Sequence, residues 1–319
     1  MKFSKENKII FFLGFLVVFG GFAFWQYPFL RGLFLAFKDG REIISPLTFL
    51  PREGPARPAG GQILGEITTL ETDFDFGNIQ PETKVLAQGA YVYDLSRGRV
   101  VFEKDAHRQL PAASTIKIVT AAVALDKGNL DEEITVNYFP TIVGESSMNL
   151  GFGEKFSLEE LLYGLLMVSG NDAAETIAQG LAGKREIFVD WMREWAKKVG
   201  AKNTNFTTPS GLDEEGQYTT AYDLFLFGKE AFTRYPKILE ISTTKEKYLP
   251  ETAGHKAYLL RNKFLLLEEF PVLAAKPGLG EGRMLSLVAL LQKNNRKILV
   301  TLIRTPSLRH DLDKILKLI

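Results

Sequence analysis

The chain has 319 residues, of which 45% are hydrophobic and 24% are charged. This composition is typical of a globular protein with a sizeable core and excludes a disordered or fibrous chain. The 39 basic and 38 acidic side chains leave a net charge of +1, which argues against a nucleic-acid-binding protein. Cysteine is absent, so disulfides, cysteine nucleophiles and cysteine-ligated metals are excluded. The three histidines, His107, His255 and His310, lack metal-ligand spacing, so we do not expect a histidine-rich metal site.

The N-terminal part of the sequence predicts a membrane anchor. Residues 9–30 form an uncharged, mostly apolar run, which as a helix would span about 33 Å, close to the thickness of a bilayer core. Lys2, Lys5 and Lys8 precede the run and favour a cytoplasmic N-terminus. We therefore predict a cytoplasmic tail over residues 1–8, a transmembrane signal anchor over 9–30, and an extracytoplasmic remainder. A cleaved signal peptide, with the cleavage site near Gly21-Phe22-Ala23, is the competing interpretation.

A linker follows the predicted anchor. Four prolines fall between residues 46 and 58, and Gly60-Gly61 follows them. No amphipathic period is visible there, as is typical of a linker. We assign residues 31–80 to a juxtamembrane segment and a Pro/Gly-rich linker, and residues 81–319 to one folded domain.

The folded domain begins and ends with strand patterns. Residues 85–94 and 99–103 alternate like the two strands of a hairpin. Amphipathic helices are then predicted over residues 114–128, 157–168, 172–179, 185–199 and 220–231; Ser157 and Glu160 form a capping box, and Asp172 and Glu175 a second candidate. Buried strands are predicted over residues 272–276, 285–291 and 298–303, with a final helix over 311–319. This order predicts a mixed α/β (α+β) fold whose sheet is built from both ends of the domain, with a helical subdomain inserted.

The tetrapeptide Ser114-Thr115-Ile116-Lys117 stands at the start of a predicted helix. A spacing of three residues places the serine and the lysine on one helix face. A serine hydroxyl needs a base to act as a nucleophile, and a lysine serves only if burial or a nearby cation lowers its pKa. About one such tetrapeptide is expected by chance in a chain of this length. Ser242-Thr243-Thr244-Lys245 is a second copy, which we assign to an exposed strand or loop as a chance match.

Two further short motifs follow. Ser169-Gly170-Asn171 interrupts an apolar helix, and Lys276-Pro277-Gly278 follows an apolar strand. Each has an ordinary structural explanation, because Ser and Asn are common at helix caps. Each also recurs, since Ser147-Met148-Asn149 repeats the first spacing and Lys-x-Gly occurs at Lys38 and Lys198. Taken singly, neither motif indicates a function.

The order of the three motifs is more specific than any one of them. S-x-x-K at Ser114, S-x-N at Ser169 and K-x-G at Lys276 occur in a sequence that resembles the D-alanyl-D-alanine carboxypeptidases. These are low-molecular-mass serine penicillin-binding proteins of the β-lactamase/transpeptidase-like superfamily. The resemblance runs from about residue 85 to 303. It implies an antiparallel sheet flanked by helices, a bacterial extracytoplasmic location and no metal or organic cofactor. The C-terminal β-domain of many such enzymes is expected to be absent.

The resemblance also implies the catalytic roles. Ser114 would attack the carbonyl between two D-alanines of a peptidoglycan stem peptide and form an acyl-enzyme. Lys117 would take the serine proton, Ser169 would relay a proton to the leaving amine, and Asn171 would order Lys117 and the substrate amide. β-Lactams are the expected inhibitors.

The third motif contributes to substrate binding in such enzymes. By the same resemblance, Lys276 would lie beside the substrate carboxylate, Gly278 would belong to the binding strand, and the backbone N–H groups of Ser114 and Leu279 would form the oxyanion hole.

The third motif also departs from the family pattern. Pro277 stands where the family has threonine, and Gly280 replaces a second threonine. Losing one hydrogen bond to a charged group costs about 1.5–3 kcal/mol. Pro277 also removes a backbone donor from a strand that we expect at a sheet edge. Arg304 and Arg283 are the candidates to hold the carboxylate instead.

Two alternatives to an active carboxypeptidase stay open. A catalytically weak or inactive homologue that binds wall peptides or partner proteins is favoured by Pro277. A β-lactamase is disfavoured because no E-x-x-L-N string follows Asn171. The sequence does not distinguish carboxypeptidase from endopeptidase preference and does not indicate an oligomeric state.

Overall fold

The computed structural model describes residues 84–212 and 214–319. The predicted tail, anchor and linker, residues 1–80, lie outside these ranges. Among the described residues, no helix is both long enough and apolar enough to cross a bilayer.

A five-stranded antiparallel sheet forms the centre of the domain, with the strand order β2-β1-β9-β8-β7. Its strands are β1 (Gly89–Asp94), β2 (Arg99–Lys104), β7 (Val272–Leu279), β8 (Leu285–Lys293) and β9 (Arg296–Thr305). The N-terminal hairpin joins the C-terminal strands where Gly89 of β1 lies opposite Ile303 of β9. The prediction of a sheet built from both ends of the domain is therefore confirmed.

The segment between β2 and β7 is mainly helical. Its helices are α1 (Lys117–Lys127), α2 (Tyr138–Ile142), α3 (Leu158–Met167), α4 (Asn171–Ala182), α5 (Arg185–Lys198), α6 (Ala221–Arg234) and α7 (Pro236–Thr243), and α8 (Leu308–Lys317) follows β9. Two short antiparallel ribbons accompany them: β3 (Glu133–Thr135) with β4 (Lys155–Ser157), and β5 (Glu246–Leu249) with β6 (Tyr258–Arg261). The sequence did not predict α2, α7 or the ribbons, since elements this short show little periodicity.

Hydrophobic residues cover both faces of the sheet. On one face, Val288 of β8 belongs to a cluster with Ile116 and Phe227 of the helical insertion. On the other face, its neighbour Leu287 packs in a second cluster with Leu312 of α8. Successive residues of a strand point to opposite faces, so a strand covered on both sides reads as a continuous apolar run. This explains the unbroken hydrophobic patterns of β8 and β9.

The helix starts show one correct and one wrong capping prediction. Ser157 Oγ accepts a hydrogen bond from the Glu160 backbone N–H at 3.2 Å, and Glu160 Oε2 accepts one from the Ser157 N–H at 2.8 Å. The predicted capping box is therefore confirmed. Asp172 is not a cap but lies inside α4. Its carboxylate accepts hydrogen bonds from the backbone N–H groups of Met148 at 2.9 Å and Leu150 at 3.1 Å, so it holds a neighbouring loop against α4.

The second S-x-x-K copy lies at the end of α7 and not in an exposed strand or loop, so that part of the prediction is wrong. Ser242 is only 1% exposed, and its Oγ accepts a hydrogen bond from the Ala275 backbone N–H at 3.3 Å. Lys245 instead places its Nζ 2.6 Å from Glu268 Oε1. The serine and the lysine therefore have separate partners, and Ser242 joins α7 to β7.

The capping box gives a stability prediction. Ser157→Ala should lower the free energy of unfolding by about 1 kcal/mol, because the backbone N–H of Glu160, in the first turn of α3, loses its acceptor. Urea denaturation followed by circular dichroism measures the change. Thr233→Ala, which removes a hydroxyl from an exposed position of α6, is the control and should change stability by less than about 0.5 kcal/mol. Equal effects of the two substitutions would contradict a capping role for Ser157.

Candidate active site

Ser114 lies in a short 3-10 turn, Ala113–Ile116, that leads directly into α1. Ala113 has a φ of +49°, a left-handed conformation that is costly for a residue with a side chain. This turn places Ser114 Oγ 2.9 Å from Lys117 Nζ. The structure thus brings together the two residues of the first motif.

The Lys117 ammonium is fully buried, with no exposed side-chain area. Besides Ser114 Oγ, its Nζ donates to Asn171 Oδ1 at 2.7 Å and to the backbone carbonyl of Ser210 at 2.5 Å. Burial, and secondarily the nearby positive charge of Lys263, lower the pKa of Lys117 to about 7. A lysine with this pKa is partly neutral near pH 7 and is able to accept a proton from Ser114.

The second motif lies between α3, which ends at Met167, and α4, which begins at Asn171. Ser169 has a φ of +60°, which turns the chain sharply between the two helices. Asn171 Nδ2 donates to the Gly144 carbonyl at 2.9 Å, so its Oδ1 faces Lys117. No side-chain hydrogen bond caps α4, and Asn171 therefore serves the lysine and not the helix end.

The third motif supplies a second buried lysine. Lys276 is 1% exposed, and its Nζ donates to Ser169 Oγ at 2.9 Å and to the Pro277 carbonyl at 2.8 Å. Burial, followed by the charges of Lys117 and Lys263, holds the pKa of Lys276 well below its ordinary value. The hydrogen bond to Ser169 links the third motif to the second.

Strand β7 passes directly against the turn that carries Ser114. A Cβ atom at Gly278 would lie 2.9 Å from the Ser114 backbone nitrogen and 3.0 Å from that of Thr115, closer than side-chain carbons approach such atoms. The glycine therefore permits the contact. Leu279 is the last residue of β7, so its backbone lies one residue beyond this close approach.

Pro277 lies in β7, which is an edge strand of the sheet as predicted. It is opposite Leu287 of β8. Proline lacks a backbone N–H and is tolerated at sheet edges, where one side of the strand has no neighbouring strand. Proline at position 277 is therefore compatible with the fold, and it leaves the strand without a side-chain hydroxyl at this position.

A cleft of about 1090 Å³ opens in front of these residues and includes Ser114, Ser169, Lys276, Gly278 and Leu279 in its lining. Arg283 also lines it. Arg304 lies near the end of β9 with a φ of +56°, and its backbone N–H donates to Ser286 Oγ at 3.1 Å.

Sequence reasoning missed several residues around the site. Lys263 lines the cleft and donates to Ser146 Oγ at 3.1 Å, and Glu145 and Glu214 also line it. None belongs to a motif with a recognisable spacing. The Ser210 carbonyl was missed because a backbone atom leaves no mark in the sequence, although Gly211 beside it did offer a turn signal.

Comparisons with known proteins agree with this arrangement. A sequence model of the D-alanyl-D-alanine carboxypeptidase family matches residues 77–305. D-alanyl-D-alanine carboxypeptidase DacF of Bacillus subtilis is 35% identical over 185 residues, which is 56% of this chain and 47% of DacF. DacB2 of Mycobacterium tuberculosis is 32% identical over 219 residues, 68% of this chain and 74% of DacB2. The alignment thus spans about half of DacF and about three quarters of DacB2.

A solved structure shows the same fold. The Streptomyces K15 DD-transpeptidase superposes with a TM-score of 0.68 and 25% sequence identity, covering 74% of this chain and 97% of that enzyme. The predicted fold class is therefore confirmed. Because the family match includes all three motifs and most of the described domain, this chain belongs to the D-alanyl-D-alanine carboxypeptidase family of serine peptidases.

Proposed function

We propose that this protein is a serine D-alanyl-D-alanine carboxypeptidase that removes the terminal D-alanine from peptidoglycan stem peptides. The observation that carries the proposal is the 2.9 Å contact between Ser114 Oγ and the buried Lys117 Nζ. A hydroxyl beside a lysine with a pKa of about 7 has the base that a serine nucleophile requires. The family membership supplies the substrate.

The acylation step uses Lys117 as the base and Ser114 as the nucleophile. Neutral Lys117 accepts the proton of Ser114 Oγ as the oxygen attacks the carbonyl between the two D-alanines. The negative charge that develops on the carbonyl oxygen is stabilised by the backbone N–H groups of Ser114 and Leu279, and the start of the α1 helix favours negative charge there.

Release of D-alanine and hydrolysis complete the cycle. The C–N bond breaks as the leaving amine takes a proton from Ser169 Oγ. The proton that Lys117 took from Ser114 replaces it, which leaves Lys117 neutral, while Lys276 Nζ, which donates to Ser169 Oγ at 2.9 Å, keeps its own proton. Water then attacks the acyl-ester, and Lys117 accepts a proton from the water and returns it to Ser114 Oγ as the ester bond breaks. Asn171 keeps the Lys117 amine oriented through both steps.

In this proposal, Lys276 becomes protonated when the ligand binds. Its buried amine has a lowered pKa, so the ligand-free protein binds its proton weakly. A substrate carboxylate placed beside it would raise that pKa, since an opposite charge favours the protonated form. The carboxylate and the Lys276 proton therefore stabilise each other, and Arg283 or Arg304 supplies a second positive group.

Pro277 is the observation that favours the alternative, a weak or inactive homologue that binds wall peptides or partner proteins. It removes the hydroxyl with which the family contacts the substrate carboxylate. The contacts of Ser114, Lys117, Ser169 and Lys276 support catalysis instead, because a protein that only binds has no need of a serine beside a partly neutral lysine.

Covalent labelling by a fluorescent penicillin tests the proposal. The intact protein should gain the mass of one penicillin on Ser114 and should release D-alanine from a D-Ala-D-Ala peptide. Ser114→Ala should abolish both activities, since no other hydroxyl contacts Lys117 Nζ among the described residues.

Ser242→Ala is the matched control, because it removes the serine of the second S-x-x-K copy. It should leave labelling intact. Labelling of Ser242, or complete absence of labelling in the intact protein at high penicillin concentration, would contradict the proposal. The second result would favour the homologue without activity.

Pro277→Thr tests whether the missing hydroxyl limits turnover. If it does, kcat/KM for D-alanine release should rise by about tenfold, since a hydrogen bond to a charged group is worth about 1.5–3 kcal/mol and part of this is realised in the transition state. Unchanged or reduced activity would show that another group, such as Arg283 or Arg304, already holds the carboxylate.

We further propose that residues 9–30 anchor the protein in the bacterial cytoplasmic membrane, with residues 31–80 as a linker and the domain of residues 81–319 outside the cytoplasm. In the producing cell, the full chain should stay in the membrane pellet after carbonate extraction, and a chain that lacks residues 1–30 should not. If expression of the full-length chain instead gives a soluble product whose N-terminus follows Ala23, a signal peptide has been cleaved and the anchor is overturned.

A further inference from the structure

The cleft has room for more than the terminal dipeptide of the proposed substrate. Its volume of about 1090 Å³ is slightly above the range, about 300–1,000 Å³, of pockets that enclose a whole drug-sized ligand. In the proposed mechanism, Ser114, Ser169 and Lys276 act on the dipeptide alone. The remaining lining residues therefore face the part of the peptide that precedes the dipeptide.

Acidic side chains stand out among these remaining residues. Of the described residues, Glu145, Glu214 and Glu281 bring carboxylates to the lining of the cleft. Glu214 already has a partner, because its Oε1 lies 2.9 Å from Arg185 Nη2. Glu145 is exposed, and no described residue forms an ion pair with it. Glu145 thus offers the cleft a carboxylate that is available to a ligand.

The backbone holds Glu145 in a fixed position. The carbonyl of Gly144 accepts a hydrogen bond from Asn171 Nδ2 at 2.9 Å, and the carbonyl of Ser146 accepts one from the Asn171 backbone N–H at 2.8 Å. Asn171 therefore holds the residues before and after Glu145. Ser146 Oγ also accepts from Lys263 Nζ at 3.1 Å. Glu145 itself has a φ of +66°, a conformation that persists only where the surroundings fix it.

Three hydrogen bonds connect the reacting serine to this segment. They join Ser114 Oγ to Lys117 Nζ at 2.9 Å, Lys117 Nζ to Asn171 Oδ1 at 2.7 Å, and Asn171 Nδ2 to the Gly144 carbonyl at 2.9 Å. Glu145 is the next residue after Gly144. An extended peptide advances about 3.3–3.6 Å per residue, and a lysine side chain adds a flexible four-carbon stem. An ammonium on the residue before the dipeptide is therefore within reach of Glu145.

A carboxylate at this position discriminates between ligands by charge. It attracts an ammonium group, has little effect on a neutral amide and repels another carboxylate. Because the carbonyls on both sides of Glu145 are hydrogen-bonded to Asn171, its backbone does not have to be ordered when the ligand binds, and preorganisation of this kind favours selective binding.

We infer that Glu145 is a specificity residue of the proposed peptidase and favours peptides that carry a free side-chain amine on the residue before D-Ala-D-Ala. The inference rests on the proposed function, because it takes the dipeptide to lie at Ser114 and Lys276. It names the class of peptide that the cleft prefers, which is cationic at that residue. Glu145 interacts with the ligand by charge and takes no part in the proton transfers.

Three peptides of equal length test the inference with the full chain. Nα-acetyl-L-Lys-D-Ala-D-Ala has a free amine, its Nε-acetylated form is neutral at the same place, and Nα-acetyl-L-Glu-D-Ala-D-Ala is anionic there. For D-alanine release, kcat/KM of the native protein should be about three- to fivefold higher for the first peptide than for the second, the effect of an exposed ion pair. The third peptide should be the poorest, and the preference should weaken as salt is added.

Variants at position 145 should change the order of the three peptides. Glu145→Gln should bring the ratio of kcat/KM between the first two peptides to about 1, and Glu145→Lys should make the anionic peptide the best of the three. Glu251→Gln removes the same charge from an exposed position outside the lining of the cleft and should keep the native ratio. The ratio is independent of the amount of folded protein, because both peptides are compared on the same preparation.

A native ratio near 1, or a ratio that Glu145→Gln leaves unchanged, would overturn the inference while the proposed function stands. The second result would include an equal change for all peptides, as expected if Glu145 acts only on Lys117. Burial and the charge of Lys263 lower the pKa of Lys117, and the charge of Glu145 opposes them. Loss of the preference in Glu281→Gln alone would assign it to the end of β7 and would equally refute a role for Glu145.

Failure of the proposed function is a different result, in which the native protein releases D-alanine from none of the three peptides. Isothermal titration calorimetry of the peptides with native protein and Glu145→Gln then decides the inference. Tighter binding of the free-amine peptide by the native protein, lost in Glu145→Gln, supports it. Equal affinities for the three peptides, or no binding of any of them, refute it.

Discussion

The burial of the Lys117 ammonium is the constraint on which the rest of the site depends. An amine removed from water must be hydrogen-bonded, and its charged form is disfavoured. Here the three acceptors are a hydroxyl, an amide oxygen and a backbone carbonyl, all of them neutral. A carboxylate in direct contact would hold the proton on the lysine. The neutral acceptors orient the amine and leave its pKa low enough for a base.

This arrangement determines the local backbone around the lysine. Three segments must meet at one nitrogen, so the chain approaches itself closely, and glycine occupies the contacts at positions 211 and 278. Ala113 and Ser169 take left-handed conformations at a cost of about 1–3 kcal/mol each. Both residues lie at turns that aim a functional side chain, Ser114 in one case and Ser169 itself in the other. Two of the nine left-handed non-glycine residues of the described chain therefore lie at the turns that carry the first and second motifs.

The sequence predicted the elements that have a regular hydrophobic pattern or a recognisable helix cap. Long amphipathic helices such as α3 and α5, the apolar strands β8 and β9, and the capping box at Ser157 all carry local signals. The five-residue helix α2 and the eight-residue helix α7 do not, and missing α7 put Ser242 in the wrong context. The Asp172 carboxylate resembled a cap because acidic residues are common in first helical turns, but its partners lie in a loop more than twenty residues away along the chain.

Less of the candidate active site than of the fold could be predicted from the sequence. Each of the three motifs has a frequency near that expected by chance, and only their order indicated a function, through resemblance to a family. The contacts of Lys117 Nζ come from residues far apart in the chain, so the Ser210 carbonyl that accepts from it has no local signature in the sequence. This carbonyl orients the Lys117 amine, and the sequence alone gives no reason to select it.

The cleft contains three lysines and lacks the hydroxyl of the threonine that Pro277 replaces. Electrostatics indicates how far the lysines compensate for that hydroxyl. The charge of Lys263 lowers the pKa of Lys117, and the charges of Lys117 and Lys263 lower the pKa of Lys276, so a ligand carboxylate beside Lys276 would be attracted by charge. Such an interaction depends on charge and burial more than on direction. Pro277 removes a directional contact with a carboxylate but leaves this field unchanged. In the proposed function, recognition of the carboxylate would therefore rely more on charge than in relatives that keep the threonine, and binding should tolerate the substitution better than the geometry of the reaction does.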